Sequence, residues 1–284
     1  MVKLLRTTKE LSDLRKTQSK DIGFVPTMGN LHQGHISLLN EALKNSSIVY
    51  FSIFVNPKQF GPNEDFKSYP RTLEEDIQKI EEAASAYSNK EVYVYAPLDP
   101  TEVFSEGHQG TVKVLGLNEI LEGKIRPGHF DGVSTVVHRL FEIIRPLKAY
   151  FGLKDFQQYR VIEKMVKDLQ MPVEIIGMPI IREASGLAMS SRNQYLSLEE
   201  REEALTLNNA LNTLKKLIDG KRENLSKTKN FIKETLTDKR WNYLEIRDAE
   251  SLSSETSQSQ NLTLLGVFQL RHTRLLDNMQ VNLE

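Results

Sequence analysis

Cysteine is missing altogether from this chain. Its absence rules out disulfides, thiolate metal sites and cysteine nucleophiles, and it suits the reducing cytoplasm, which is the expected location. Long apolar runs are missing too. No stretch approaches the roughly 18 residues that a membrane-spanning helix needs. The opening MVKLLRTTKELSDL has no apolar segment of signal-peptide length. Neither sign of charge is in excess: 37 basic side chains against 38 acidic ones leave a formal charge of −1. No overall field draws in nucleic acid or an anionic membrane, and neither is expected as a partner. What remains is the balance of a globular protein, 39% apolar and 26% charged. The 284 residues fit two domains or one large one.

There is no internal repeat. Up to about residue 180, short apolar runs alternate with amphipathic stretches. Asp21–Pro26, Ile48–Val55, Glu91–Ala96, Ala149–Gly152 and Val173–Ile176 read as strands, rich in β-branched and aromatic residues. Gly34–Leu43, Thr72–Ala84, Val133–Ile144 and Asp155–Asp168 read as helices, the second opened by a capping box of Thr72 and Glu75. This order predicts an α/β fold, a Rossmann-like parallel sheet with helices on both faces. After about residue 181 the composition shifts. Ser197–Ile218 and Leu225–Leu236 read as surface helices, Trp241–Ile246 and Leu262–Leu270 as strands, and Ser251–Asn261 as a polar loop. The expected organisation is a domain over 1–180 and a smaller C-terminal α+β domain over 181–284.

Four clusters carry chemistry. The first is PTMGNLHQGH, from Pro26 to His35, between a strand and a helix. Gly29 and Gly34 let backbone approach a ligand, and a helix N-terminus offers unpaired N–H groups to an anion. His32 and His35 can add imidazole donors for the phosphates of a nucleotide. The same spacing also suits a metal pair or two satisfied, partly buried histidines. No third ligand stands nearby in sequence, and the strand–turn–helix setting favours phosphate. The second cluster, VNPKQF, ends a strand. Asn56 and Gln59 there can present amides to a cleft, or form a polar turn broken by Pro57. The third, FGLKDFQQ, sets Lys154 where it can meet a phosphate as a point charge, with Asp155 as a helix cap and Gln158 one turn on. The fourth, REASGLAMSSRN, places Arg192 among small hydroxylated residues, as in a phosphate-binding loop or an ordinary linker. A further stretch, RPGHFDGVSTVV, carries Arg126 and His129 before a helix, where packing around a site is favoured over direct catalysis.

The first cluster resembles the HxGH signature of a nucleotidylyltransferase superfamily related to class I aminoacyl-tRNA synthetases. In its longer form it is similar to the pantothenate synthetase (pantoate–β-alanine ligase) family. FGLKDFQQ resembles that family's FGxKDxQQ, RPGHFDGVSTVV its RPGHFxGVxTVV, and REASGLAMSSRN its RExxGLAMSSRN, the counterpart of a mobile lysine loop. TRLLDN at 273–278 extends the likeness, so that it covers nearly the whole chain. Leu153, Phe156 and Gln33 depart from the residues most common at their positions.

The resemblance implies ATP and Mg²⁺, with pantoate and β-alanine as substrates, joined through a pantoyl-adenylate. It implies that Met28, Gly29, Asn30, Leu31, His32, Gln33, Gly34 and His35 form an ATP loop, with His32 and His35 stabilising the transition state. His35 is the family's catalytic acid, read here as a donor to phosphate oxygen. Gly152, Leu153, Lys154, Asp155, Ile181, Met189, Ser190, Ser191 and Arg192 would complete the nucleotide site, with Lys154 and Arg192 supplying positive charge. Gln59 and Gln158 would hold pantoate, Gln59 bordering the β-alanine site, and Asn56 is expected beside them as a third substrate-binding amide. The second domain would act as a lid against hydrolysis, and the chain would be a homodimer. The metal ligands stay unassigned. The alternative reading is an HxGH nucleotidylyltransferase that keeps the nucleotide on its product, which should lack VNPKQF and FGLKDFQQ. A nucleotide-binding regulatory module of the same fold is a third.

Overall fold

The computed structural model describes residues 2–18, 21–62 and 64–284. In chain order these form β1 (Val2–Leu5), α1 (Thr8–Arg15), β2 (Ile22–Thr27), α2 (Gln33–Asn45), β3 (Ile48–Ile53), α3 (Leu73–Ser85), β4 (Glu91–Tyr95), α4 (Leu121–Ile125), α5 (His129–Ile144), β5 (Lys148–Gly152), α6 (Phe156–Asp168), β6 (Glu174–Met178), α7 (Leu198–Ile218), α8 (Leu225–Thr235), β7 (Trp241–Asp248), β8 (Asn261–Leu270) and β9 (Thr273–Asn282).

The chain divides into two compact units, 1–153 with 158–179, and 154–157 with 180–284. In the first, six strands form one sheet in the order β1-β4-β3-β2-β5-β6, parallel throughout. Alternate residues of each strand feed opposite faces. Phe24, Tyr50, Tyr93, Tyr95 and Phe151 join one core with Leu11 of α1, Val137 and Phe141 of α5 and Ile162 of α6. Val25, Val49, Phe51, Val94 and Tyr150 join another with Leu39 and Leu43 of α2 and Ile80 of α3. Strands buried on both faces need apolar residues at successive positions, which is why they read as continuous runs. Strand order turns back between β2 and β5, since β3 and β4 lie to one side of β2 and β5 and β6 to the other. The carboxyl ends flanking that switch point are where ligands of such sheets bind.

The second unit has a three-stranded antiparallel sheet, β7-β8-β9. Leu207, Leu211 and Leu214 of α7 pack on Leu262, Leu264 and Phe268 of β8 to form its core.

The strands and helices read from the sequence are present, and the structure adds others. β1 is four residues long with an exposed middle, and α1 buries only Leu11, so neither has a strong period. β9, which carries the motif TRLLDN, is a further addition. One expectation is overturned: Thr72 makes no capping bond to the α3 backbone. Its ψ of 43° departs from the extended backbone that turns an N-cap hydroxyl toward the helix. The hydroxyl donates instead to Asp76 Oδ2 at 3.2 Å.

Candidate active site

The loop that joins β2 to α2 lies at the switch point. Gly29 and Asn30 both take left-handed backbone, with φ of 86° and 51°, a conformation that glycine and asparagine tolerate best. The loop is tied down at several points. Thr27 Oγ1 accepts from Gly29 N–H at 3.2 Å and donates to Ser52 O at 2.7 Å. Asp76, fully buried at the start of α3, accepts from Asn30 N–H at 2.8 Å and Leu31 N–H at 2.7 Å. Lys79, one turn on, donates to Leu31 O at 2.9 Å.

His32 is the N-cap of α2. Its Nδ1 accepts from Gly34 N–H at 3.1 Å, while Nδ1 of His35 accepts from His32 N–H at 3.3 Å. This is the reciprocal geometry of a capping box, built from two imidazoles. The rings lie 4.1 Å apart, centroid to centroid. A side chain at Gly34 would sit 2.8 Å from the His32 ring, so the glycine makes room for that ring. In each neutral ring an accepting Nδ1 leaves the proton on Nε2.

β3 leads to the turn Pro57–Gln59, capped by Asn56. Asn56 is 1% exposed. Its Oδ1 accepts from Lys58 N–H at 3.1 Å, and its Nδ2 donates to Gln59 Oε1 and Gly132 O, both at 3.1 Å. The Gln59 amide in turn donates to Met28 Sδ at 3.1 Å. Gln59 therefore bridges Asn56 and the first residue of the loop. His129, at the start of α5, bonds through Nδ1 to Gln59 O at 2.8 Å. Burial, with Arg126 beside it, holds its pKa down at about 4. At the end of β5, Gly152 is half-buried with open space where a side chain would project. The Leu153 side chain packs toward Gly177, and Gln158 lies half-buried on α6.

The second unit carries the remaining candidates. Lys154 lies 3.7 Å from Asp155, and its carbonyl accepts from Asn278 Nδ2 at 2.9 Å. Arg182 pairs with buried Asp277 through two bonds of 2.7 and 3.0 Å. A bridge between Arg182 and Ala188, with Met189 N–H donating to Ile181 O at 2.9 Å, sets Ile181 and Met189 side by side. Ser190 caps the turn Ser191–Tyr195, its hydroxyl accepting from Arg192 N–H at 3.3 Å. Ser191 and Arg192 are half-buried within that turn.

Within the first unit the structure joins Met28, Asn56 and Gln59, and joins His32 to His35. The bonds of Asp76 and Lys79 to the loop and the His129 contact to Gln59 are not legible in sequence. Each acts across a gap of many residues, and an aspartate in the first turn of a helix looks like any other dipole-favoured carboxylate.

A sequence model of the family described as pantoate-beta-alanine ligase matches residues 3–280. A pantothenate synthetase of Fervidobacterium nodosum is 45% identical, aligned over 99% of this chain and 100% of its own. That of Acetivibrio thermocellus is 44% identical over 99% of both. A crystal structure of pantothenate synthetase from Thermus thermophilus matches with a TM-score of 0.87 at 39% identity, covering 98% of this chain and 99% of that one. Pantoate-beta-alanine ligase from Francisella tularensis, complexed with beta-gamma ATP and β-alanine, matches with a TM-score of 0.77 at 30% identity over 98% and 97% of the chains. A family match from residue 3 to residue 280, with relatives this similar along their full length, means that this chain belongs to the pantoate–β-alanine ligase family.

Proposed function

We propose that His32 and His35 hold the phosphates of ATP through their Nε2–H groups in the reaction of this family, and that Gln59 and Gln158 hold pantoate. That reaction is the ATP-dependent condensation of pantoate with β-alanine to pantothenate. A pantoate carboxylate oxygen attacks the α-phosphorus, pyrophosphate leaves, and pantoyl-adenylate forms. The amine nitrogen of β-alanine then attacks the acyl carbon. The carbon–nitrogen bond forms, the carbon–oxygen bond to AMP breaks, and the amine gives up a proton.

Neither step needs a covalent nucleophile from the protein. Both need alignment and neutralisation of charge. One observation carries the reading: each imidazole gives Nδ1 to a backbone N–H, so that its proton sits on Nε2. Two donors at the N-terminus of α2, one on its N-cap and one on its first turn, suit the oxygens of a phosphorus passing through five-coordination. His35 then acts as a hydrogen-bond donor to phosphate oxygen. The rest of Met28–His35, with Gly152, Leu153, Lys154, Asp155, Ile181 and Met189–Arg192, takes up the nucleotide. Lys154 and Arg192 supply positive charge. Asn56, expected at the substrate itself, serves instead by holding Gln59, since it is buried and its own amide is occupied by protein groups.

Mg²⁺ belongs to the same proposal. Among the described residues no group of three or more His, Asp or Glu side chains could hold a metal ion. A Mg²⁺ that keeps phosphate oxygens, waters and one or two carboxylates as ligands needs no such cage. Asp155 is half-exposed and fits that role. Asp76 does not, because its oxygens accept from Asn30, Leu31 and Thr72. When bound, the ion neutralises phosphate charge. A homodimer, which the resemblance implies, in the reducing cytoplasm, which the lack of cysteine suits, completes the proposal.

The test is AMP release from ATP and Mg²⁺ with pantoate and β-alanine omitted in turn, repeated with His35→Ala. The expected result is AMP only with both substrates, pantothenate by mass spectrometry, and a loss of at least about 100-fold in adenylate formation for the variant. Near-normal turnover by a folded His35→Ala would remove His35 from the proposed chemistry.

A further inference from the structure

Gln59 is held from behind as well as from the side. The Pro57–Gln59 turn lies against the first turn of α5, so closely that a side chain at Gly132 would meet Lys58 O at 2.2 Å and Gln59 Cα at 2.7 Å. At that contact His129 Nδ1 is 2.8 Å from Gln59 O. A carbonyl oxygen only accepts, so Nδ1 carries the proton. The other ring nitrogen, Nε2, lies 3.0 Å from Arg126 Nη1. A guanidinium only donates, so Nε2 is the acceptor. A single neutral tautomer satisfies both neighbours. Arg126 is itself fixed: its Nε and Nη2 donate to the two carboxylate oxygens of Glu64 at 2.7 and 2.5 Å. Each of its three nitrogens is thereby engaged, in the planar fork geometry that only arginine offers.

We propose that Glu64, Arg126 and His129 form a positioning relay for Gln59, setting the amide that receives the hydroxy-acid substrate without touching that substrate themselves. The relay runs from the carboxylate to the guanidinium, through the imidazole to the Gln59 carbonyl. The Gln59 side chain is then aimed by Asn56 Nδ2 on its oxygen and Met28 Sδ on its nitrogen. Glu64 and Arg126 make the bond to Gln59 directional, because they leave His129 one proton arrangement. The inference rests on the reading of Gln59 as a pantoate-binding residue, and it assigns purpose to the RPGHF segment that the two-step chemistry leaves unused.

The two readings separate in one kinetic series with His129→Leu, His129→Asn, Glu64→Gln and Gln59→Ala. An asparagine amide can replace Nδ1–H toward a carbonyl, whereas leucine cannot. His129→Leu is expected to raise the KM for pantoate about tenfold, the loss of roughly one hydrogen bond. Its KM for ATP should stay within about twofold, and His129→Asn should recover most of the loss. Glu64→Gln, which alters only the far end, should raise the pantoate KM about threefold. In a Gln59→Ala background His129→Leu should add nothing further, the mark of residues acting through one another. Equal rises for pantoate and ATP in His129→Leu, or an additive loss in the double variant, would overturn the relay. If Gln59→Ala itself leaves the pantoate KM unchanged, the reading of Gln59 fails, and the relay has no substrate group to position.

Discussion

His129 shows how one proton arrangement becomes a pH dependence. Its Nδ1–H is spent on the Gln59 carbonyl and its Nε2 faces the Arg126 guanidinium. A second proton would have to go on Nε2, against a fixed positive charge. Burial and Arg126 lower its pKa to about 4, against the opposing pull of the bond to the Gln59 carbonyl and of Glu64 and Glu122. In the unfolded chain the same ring titrates near 6.5. Between these values the unfolded state binds more protons, so stability rises with pH across the window. The contribution is complete above about pH 6.5 and is lost as the pH falls toward about 4. From the size of the shift, it amounts to at most about 3 kcal/mol. Denaturant unfolding at pH 7.5 and pH 5 checks this against His129→Asn. The wild type should lose about 2 kcal/mol more than the variant over that interval. Equal losses would mean that His129 takes up its proton in the folded chain as readily as in the unfolded one.

Among the elements, α3 has a task beyond covering the sheet. Its first turns supply Asp76 and Lys79, which grip both polarities of the loop backbone, N–H of Asn30 and Leu31 and the carbonyl of Leu31. Asn30, left-handed without being a glycine, is costly to hold in place unless the surroundings over-determine it, and this grip is what does so. Asp76→Asn keeps the shape but turns an NH₂ toward a backbone donor. It is expected to cost about 2 kcal/mol of stability and to weaken ATP binding about tenfold. Calorimetry with ATP, beside thermal unfolding, reads both. A loss of stability at unchanged ATP affinity would show that the loop keeps its form without the carboxylate. This element also marks where sequence reading stops. The central strands are legible because burial on both faces demands unbroken apolar runs, and the His32–His35 loop because its spacing recurs at a strand–helix junction. The partner of a carboxylate is a different matter. Thr72 and Glu75 have the spacing of a capping box, yet the backbone at Thr72 turns the hydroxyl to Asp76. The link from Gln59 to His129 spans 70 positions. Short patterns register local geometry, and these residues work through tertiary contact.

For the whole molecule, the two units bury separate sets of residues. The faces of the parallel sheet draw on α1, α2, α3, α5 and α6, and the antiparallel sheet on α7 and α8. The chain has one tryptophan. Trp241 is 7% exposed in the second unit, 5.0 Å from the Phe268 ring. Its emission therefore follows that unit, while far-UV circular dichroism is weighted toward the first unit with its longer stretch of chain. Leu211 is fully buried on α7 in the same core as Trp241. Leu211→Ala leaves a cavity there and should cost about 3 kcal/mol. In this variant the transition seen by tryptophan emission should move to lower denaturant than the one seen by circular dichroism. The matching change in the first unit, Leu39→Ala on α2, should move the circular dichroism transition and leave the tryptophan transition behind. Probes that disagree are the mark of more than one cooperative block. If both probes shift together in both variants, the separate cores melt as one, and a cavity in either unit weakens the whole chain.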